Sequence, residues 1–554
     1  KITHDKKGKK IIYDNAWLDL FDKPVIYFPK FFHPDPTVKR QSGFLIPSFN
    51  DSSALGFGVN IPYFLALDSH KDLTIKPKIF FNENPLIQAE YRHKTKNSYS
   101  IVDTSFNKGY KENTGKGTDG NRKHLFLNSK INLNPENFQE GYLELDFQTT
   151  TNDTYLKVYD LKSDINNSNS LLTSKIELDL VNENSDINFI IQEQEDLTTT
   201  VDKKETFFPR FEYNKRNFVL SDELSPIDFR SISYFKNYKT NKKEKIVVND
   251  VFWNSSKMVW PSGLLTSLES NLKNINYRAE NISSLKSEEN NYEISGVLAV
   301  SNTLPLIKDT QNYRELFSPK IMFRFAPFPM KNYSDKDLRL NYSNLFSLNK
   351  IDDVHTIESG HSITLGGNYK KKHKEKEYNL IEAGMGQVFS LKENKDIPDK
   401  SSLNQKTSEL VGHFDYFFNE NSNFKYKFSL DHNFNDLNYQ ELSTVIVANK
   451  IVTEFTYLNE KGKIGNENFI GADIEINIDD SNSLKFNARK NYKTNMTEFY
   501  NLIYQYEYDC MIAALEYSKN FYSDRDVEPT SNLMFKIKLQ PLGTTFSSPS
   551  FQDF

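Results

Sequence analysis

Tyr142-Leu143-Glu144-Leu145-Asp146-Phe147-Gln148 alternates without a slip: after Tyr142 every second side chain is apolar, and those between are charged. In an extended chain successive side chains point to opposite faces, so this stretch has one greasy face and one wet face. The pattern returns in Lys175-Ile176-Glu177-Leu178-Asp179-Leu180, in Phe424-Lys425-Tyr426-Lys427-Phe428, in Ile474-Glu475-Ile476-Asn477-Ile478 and in Leu533-Met534-Phe535-Lys536-Ile537-Lys538-Leu539. A soluble sandwich gives the same local alternation. Persistence separates the two, because here the strands keep coming from about residue 51 to residue 543 with few long helical patterns between them. A sandwich closes after far fewer strands. A barrel removes its edges by closure and can go on adding hairpins. The expected fold is all-β, a large transmembrane antiparallel barrel.

The breaks between strands are rich in Asn, Ser and Asp, as in Asn166-Asn167-Ser168-Asn169 and Asp479-Asp480-Ser481-Asn482. These side chains bond to their own backbone and tolerate left-handed conformations, which suits turns. Longer polar stretches at about 107–123, 236–250, 283–292 and 391–408 read as extended loops. In outer-membrane barrels long loops lie outside the cell.

Composition agrees with this class. Only 37% of the residues are hydrophobic. No run approaches the ~18 apolar residues of a spanning helix, which excludes a helical membrane protein. A barrel strand needs apolar side chains on its lipid face alone, so averaged hydropathy hides it. Tyr (30) and Phe (43) supply most of the aromatic fraction, as strands and interfacial girdles require, although a coding bias toward Asn, Lys, Ile, Tyr and Phe accounts for it as well. The net charge of -5 and the lack of a dominant basic patch argue against a nucleic-acid partner. The single cysteine, Cys510, leaves no disulfide within the chain and no cysteine-based zinc site.

Upstream of the barrel, residues 11–29 read as two strands joined at Phe21-Asp22-Lys23-Pro24, the end of a soluble β domain. The opening Lys1-Ile2-Thr3-His4-Asp5 has no charged-then-apolar leader. It reads as mid-domain strand and turn, so the chain is expected to be trimmed at its N-terminus. The stretch from Asp35 to Phe49 hands over to the barrel. The expected division is therefore a periplasmic β portion over residues 1–50, a barrel over 51–543 and a tail over 544–554.

Motif by motif, chemistry is scarce. Gly115-Lys116-Gly117-Thr118-Asp119-Gly120 matches GxGxxG literally, but it sits in a polar loop with no helical pattern after it. His33 lies between Phe32 and Pro34 and reads as a loop residue rather than a ligand. There is no HExxH, no GxSxG elbow and no phosphate loop. The chain is not expected to be an enzyme, and no cofactor is implied. The run from Lys370 to Lys376 reads as a solvated turn, or as a contact for phosphorylated headgroups. Lys39-Arg40 has the same two readings: a solvated linker, or a contact for lipid phosphates at the junction.

Proline placement is the sharpest physical signal. Pro62 and Pro77 stand inside strand-like runs, Ile61-Pro62-Tyr63 and Ile75-Lys76-Pro77-Lys78. Proline cannot donate to a β ladder and is confined in sheets to edges, strand starts and bulges. Either these two merely start strands or mark bulges, or they weaken the wall. Both are expected in the first two barrel strands, where the barrel must close on its last strand. Pro541, in Leu539-Gln540-Pro541-Leu542-Gly543, reads as a strand terminator or as a second loosening of the same joint.

At these residues the chain resembles LptD, the outer-membrane lipopolysaccharide-assembly family. The resemblance is carried by Phe31-Phe32-His33-Pro34-Asp35-Pro36, Lys39-Arg40-Gln41-Ser42-Gly43-Phe44-Leu45-Ile46-Pro47-Ser48, Pro62-Tyr63-Phe64, Asp72-Leu73-Thr74-Ile75-Lys76-Pro77 and Glu90-Tyr91-Arg92. Weaker echoes follow in Phe317-Ser318-Pro319-Lys320, Asn344-Leu345-Phe346-Ser347-Leu348-Asn349-Lys350, Gly384-Met385-Gly386-Gln387-Val388, Tyr508-Asp509-Cys510 and Leu539-Gln540-Pro541-Leu542-Gly543. The resemblance implies a periplasmic β-jelly-roll joined to a barrel of about 26 strands. It implies that lipopolysaccharide arrives from an LptA-like jelly-roll bridge and leaves sideways between first and last strands. It implies an LptE-like plug lipoprotein in the lumen, and Pro62 and Pro77 as the family's gate prolines. Two departures stand out. Most of the jelly-roll is missing from this chain. The family often has adjacent cysteines near Cys510, paired with N-terminal ones; here Met511 follows, so at most one such disulfide could form, to an upstream residue outside this chain. The runner-up reading is a passive porin or nutrient channel, and a third is a secreted β-rich binding protein.

Overall fold

The computed structural model describes residues 2–539 apart from 7, 9, 21–22, 36–39, 46, 112–119, 167, 220–224, 240, 283–284, 286–288, 377, 509–510 and 526. Among the described residues, three antiparallel strands come first: Ile2–Asp5, Lys10–Leu20 and Lys23–Pro34. His33, expected in a loop, lies instead in the third of these, opposite Ile11. The ladder carries it on as strand because its neighbours Phe32 and Pro34 also pair, with Ile12 and Lys10. These strands suit the end of a jelly-roll.

The rest of the chain closes into a single antiparallel barrel. Four strands are interrupted and counted once each: Gly43–Phe44 with Ser48–Ser52, Gly56–Asn60 with Tyr63–Asp68, Lys242–Asn254 with Met258–Val259, and Asn291–Thr303 with Leu306–Asp309. The wall therefore has 26 strands. Its first strand begins at Gly43, so the junction contributes wall as well as linker. No helix is long and apolar enough to cross a membrane.

The chain enters the barrel at the junction end, and the strands alternate in direction from there. The strand Ser98–Asn107 shows how the two faces divide: Ile101, Asp103, Ser105 and Asn107 are buried toward the lumen, and Phe106 is 47% exposed outward. Connections at the junction end are mostly short, such as 69–70, 183–184 and 449–450. The long ones, 108–121, 151–170, 327–359 and 391–409, all lie at the distal end. The expected loop at 236–250 is a correction. Ile227–Tyr238 and Lys242–Asn254 run through it and leave a turn at 239–241. Lys242 to Lys245 carry polarity on both faces because that part of the hairpin is the distal end of the wall, where the alternation no longer has to serve lipid. The longest connection, 327–359, went unread because its apolar residues are scattered among polar ones.

Candidate functional site

Where the barrel closes, its last strand, Thr530–Leu539, meets the first. On its other side this strand pairs with Met511–Asn520 over ten residues, from Asn520↔Thr530 to Met511↔Leu539. Against the first strand it makes four pairs only: Asn532↔Ser52, Leu533↔Asp51, Met534↔Asn50 and Phe535↔Phe49. One further backbone bond, Ser53 N–H to Ser531 O at 3.0 Å, extends the joint distally. Among the described residues this ladder stops at Phe535↔Phe49, so its pairs all lie in the distal half of the seam.

Three prolines mark where bonding stops. In an antiparallel ladder the N–H and C=O of one residue face the same neighbour, and facing alternates along the strand. Leu45 N–H donates to Pro62 O at 2.8 Å, so Pro62 faces the first strand and cannot return the bond. Ile61 N–H donates to Pro77 O at 3.2 Å, so Pro77 faces the second strand and cannot return that one. Pro62 thus lies in the second strand, within the two expected, and Pro77 in the third, one beyond them. Neither missing donor points at the seam. Ser53 faces the last strand, and by alternation so do Asp51 and Phe49, where the seam ladder ends. Pro47 stands in the interruption between Gly43–Phe44 and Ser48–Ser52, where the alternation breaks, since Leu45 faces the second strand.

Beside these strands the lumen wall is locked by charge. Asp72 is 5% exposed and takes Arg92 Nε at 2.8 Å and the guanidinium of Arg40. Arg40 also donates to Ser69 O at 3.0 Å. Glu90, equally buried, holds Lys76 at 2.8 Å. Arg40 is therefore the pin that fixes the linker to the wall, and a lipid phosphate would have to compete with Asp72 for it. In the basic run, Lys370, Lys371 and Lys374 are paired with Glu382, Glu315 and Asp309. Lys39, Cys510, Pro541 and the glycines Gly115 and Gly117 lie outside the described residues.

Distal loops fold into the lumen. Residues 327–359 fold inward and pack with 391–409 into an apolar cluster that includes Tyr333, Leu340, Leu345, Ile397 and Leu403. Tyr342 and Leu345 seat against Gly384 and Gly386 of the wall, where a Cβ would collide with each. Two family-like motifs some forty residues apart in the sequence, Asn344–Lys350 and Gly384–Val388, thus meet as knob and notch.

Charged groups fix the same loop. His355 sits between Asp353 (Nδ1 to Oδ1, 2.7 Å) and the wall residue Glu244, with Tyr234 Oη 2.7 Å from its Nε2. Burial disfavours its charge, but the two carboxylates overcome that and raise its pKa. Lys350 is fully enclosed with Glu358 Oε2 at 3.6 Å, and burial pushes its pKa down to about 8. Arg324 of the wall binds the backbone of Leu348 (2.7 Å) and of Glu358.

The second loop, 151–170, carries the short helix Tyr155–Val158 and packs on the wall beside the seam. Beneath it Ser105 Oγ lies 2.6 Å from His124 Nδ1, and His124 Nε2 lies 3.4 Å from Asp103. The residue types are those of a hydrolase triad. Here, however, Ser105 is 3% exposed and its hydroxyl is engaged by Tyr155 Oη at 2.7 Å. The trio serves as the socket for the helix. Among the described residues no group of His, Cys, Asp and Glu could hold a metal ion.

The chain has relatives among known proteins. The profile described as LptD, LPS transport system D, matches residues 120–469. The chain belongs to the LptD family. An LPS-assembly protein LptD of Shewanella sp. (strain MR-4) is 24% identical over 433 residues, 72% of this chain and 52% of that protein. The LptD of Idiomarina loihiensis is 23% identical over 430 residues, 72% of this chain and 53% of that protein. The LptD of Pseudomonas aeruginosa (strain UCBPP-PA14) is 36% identical over 92 residues, 17% of this chain and 10% of that protein. The chain thus spans about half the length of the curated relatives that it matches over most of its own length. Among solved structures, the siderophore receptor PirA from Pseudomonas aeruginosa aligns over 91% of this chain and 81% of its own at 10% identity, with a TM-score of 0.36 that carries no weight for function. As an LptD-family barrel the protein is an outer-membrane protein with its N-terminal part in the periplasm, so the junction end is periplasmic and the distal end faces the exterior.

Proposed function

We propose that this chain receives lipopolysaccharide from a periplasmic jelly-roll bridge and inserts it into the outer leaflet through a lateral gate between its first and last barrel strands. The observation that carries this reading is the seam ladder of four pairs in its distal half. The physics is partition. Glycan and phosphates need a wet, polar lumen, while acyl chains need an apolar path. Each CH₂ kept from water is worth ~0.8 kcal/mol, so several chains cannot cross water exposed. A seam that parts sideways lets the chains slide into lipid while the sugar stays in the lumen. Pro62 and Pro77 thin the ladders beside the gate. Pro541 is proposed to loosen or end the last strand beyond Leu539. Lys39 and Arg40 are proposed to meet lipid phosphates as they pass the junction.

An LptE-like lipoprotein is the proposed partner in the lumen, and an LptA-like bridge the partner of the periplasmic strands. Cys510 is proposed to bridge to a residue upstream of this chain. Catalysis has no part in this scheme. The test is to replace Pro62 and Pro77 together by threonine in the full-length protein and follow arrival of lipopolysaccharide at the cell surface. Slower arrival at unchanged barrel abundance is expected; unchanged arrival would sink the gate. Steady single-channel conductance from the purified barrel, with its loops in place and no plug partner, would favour a porin instead.

A further inference from the structure

The pairs of the seam ladder lie in its distal half. On the proposed reading, delivery to the outer leaflet has to part that half. A second set of contacts crosses the same joint.

Loop 151–170 spans the joint. One side of it is apolar and rests on the N-terminal side of the seam. Tyr155, Leu156, Tyr159 and Leu161 form a buried cluster with Leu55 of the first hairpin and with Phe80, Leu86 and Phe126 of the wall. Its other side is ionic and reaches the C-terminal side, the loop 521–529 that leads into the last strand. Lys157 Nζ lies 3.3 Å from Asp524 Oδ2, with 14% and 16% of the two side chains exposed. Arg525 Nη1 lies 2.9 Å from Asp153 Oδ2. Lys203, from the neighbouring loop, also pairs with Asp153, and Tyr522 lies beneath Lys157 with its ring centroid 5.2 Å from Nζ. Parting the first and last strands distally must break both ion pairs, whereas the apolar anchor can stay where it is.

We propose that loop 151–170 is a strap across the seam, anchored by its apolar face to the first six strands and latched by Lys157–Asp524 and Asp153–Arg525 to the last hairpin, and that unlatching is the step that lets the outer-leaflet half open. The asymmetry suits a reversible latch. Ion pairs near water exchange partners with solvent, salt or a passing anion at little net cost, while a buried aromatic cluster does not. The strap rests on the gate reading for its purpose but not for its existence.

The experiment is hydrogen exchange on the full-length protein in its native membrane complex. It follows backbone amides of residues 49–53 and 531–535, and residues 313–326 serve as a wall reference. In Lys157→Asp and in Asp524→Lys, seam exchange should rise roughly fivefold, the order expected when partly exposed ion pairs are lost or reversed. The swap Lys157→Asp with Asp524→Lys should restore it, and the wall reference should not move. Raising the salt on the unaltered protein should accelerate the seam selectively, which keeps a test available if a single variant folds poorly. Seam exchange indifferent to both the variants and salt would overturn the strap. Surface delivery, measured in the same variants, separates the two ideas. Faster seam exchange with unchanged delivery upholds the strap and sinks the gate; changed delivery with unchanged seam exchange sinks the strap.

Discussion

The barrel uses one proline arrangement twice, on two sides of its wall. In the second and third strands, Ile61 N–H donates to Pro77 O at 3.2 Å and Pro62 interrupts the strand. In the fourteenth and fifteenth, Leu304 N–H donates to Pro319 O at 3.1 Å and the break falls at Leu304-Pro305. The local chemistry is the same and the surroundings are not. The second site is flanked by ladders of thirteen pairs on one side and fourteen on the other, so the wall there stays shut. The first site is flanked by the interrupted first–second ladder, of five pairs and two, and one strand further on by the seam with its four pairs. In-strand proline does not make a gate. On the proposed reading it makes one only where the adjoining ladder is already short.

That contrast can be broken most directly at the prolines. Replacing Pro62 and Pro77 together by threonine returns one donor to the first–second ladder and one to the second–third, at about 1 kcal/mol each, which should disfavour opening of each ladder roughly fivefold. Hydrogen exchange at residues 49–53 would report it. The pair Pro305→Thr with Pro319→Thr should leave both seam exchange and surface delivery unchanged. If that pair slows delivery as much as the first pair does, the comparison fails.

The lumen sharpens the same contrast, because the far wall is braced from inside. Gly384→Leu places a side chain where the Tyr342 ring now sits. Overpacking of this kind costs about 1–3 kcal/mol and should lift loop 327–359 from its notch. Increased proteolysis of that loop, with the seam unaffected, is the expected result.

The smallest effect concerns pH. His355 has a raised pKa, so its protonated form is favoured when the loop is docked. Its contribution is fully present below the ordinary histidine value of about 6.5 and is lost as pH rises through the raised value. Docking of 327–359 should therefore weaken with increasing pH above neutrality, and His355→Gln should flatten that slope. Limited proteolysis across pH would show it; a slope that persists in the variant assigns the effect elsewhere.

The sequence carried the architecture because period-two alternation is imposed on every strand by lipid on one side and the lumen on the other. Tyr142 to Gln148 and Leu533 to Leu539 show it without any neighbour in view. The junction from Asp35 to Phe49 and the oddity of Pro62 and Pro77 were legible for the same local reason. The run 236–250 misled because polarity at the distal end of a strand looks like polarity in a loop. What only the tertiary structure decided is which ladder each missing donor belongs to. That depends on register between strands, and for the seam on residues some five hundred positions apart. The folding of 151–170 and 327–359 into the lumen was equally hidden: their cores form against glycine notches and wall residues distant in sequence, and the apolar side chains of the loops follow no period that announces them.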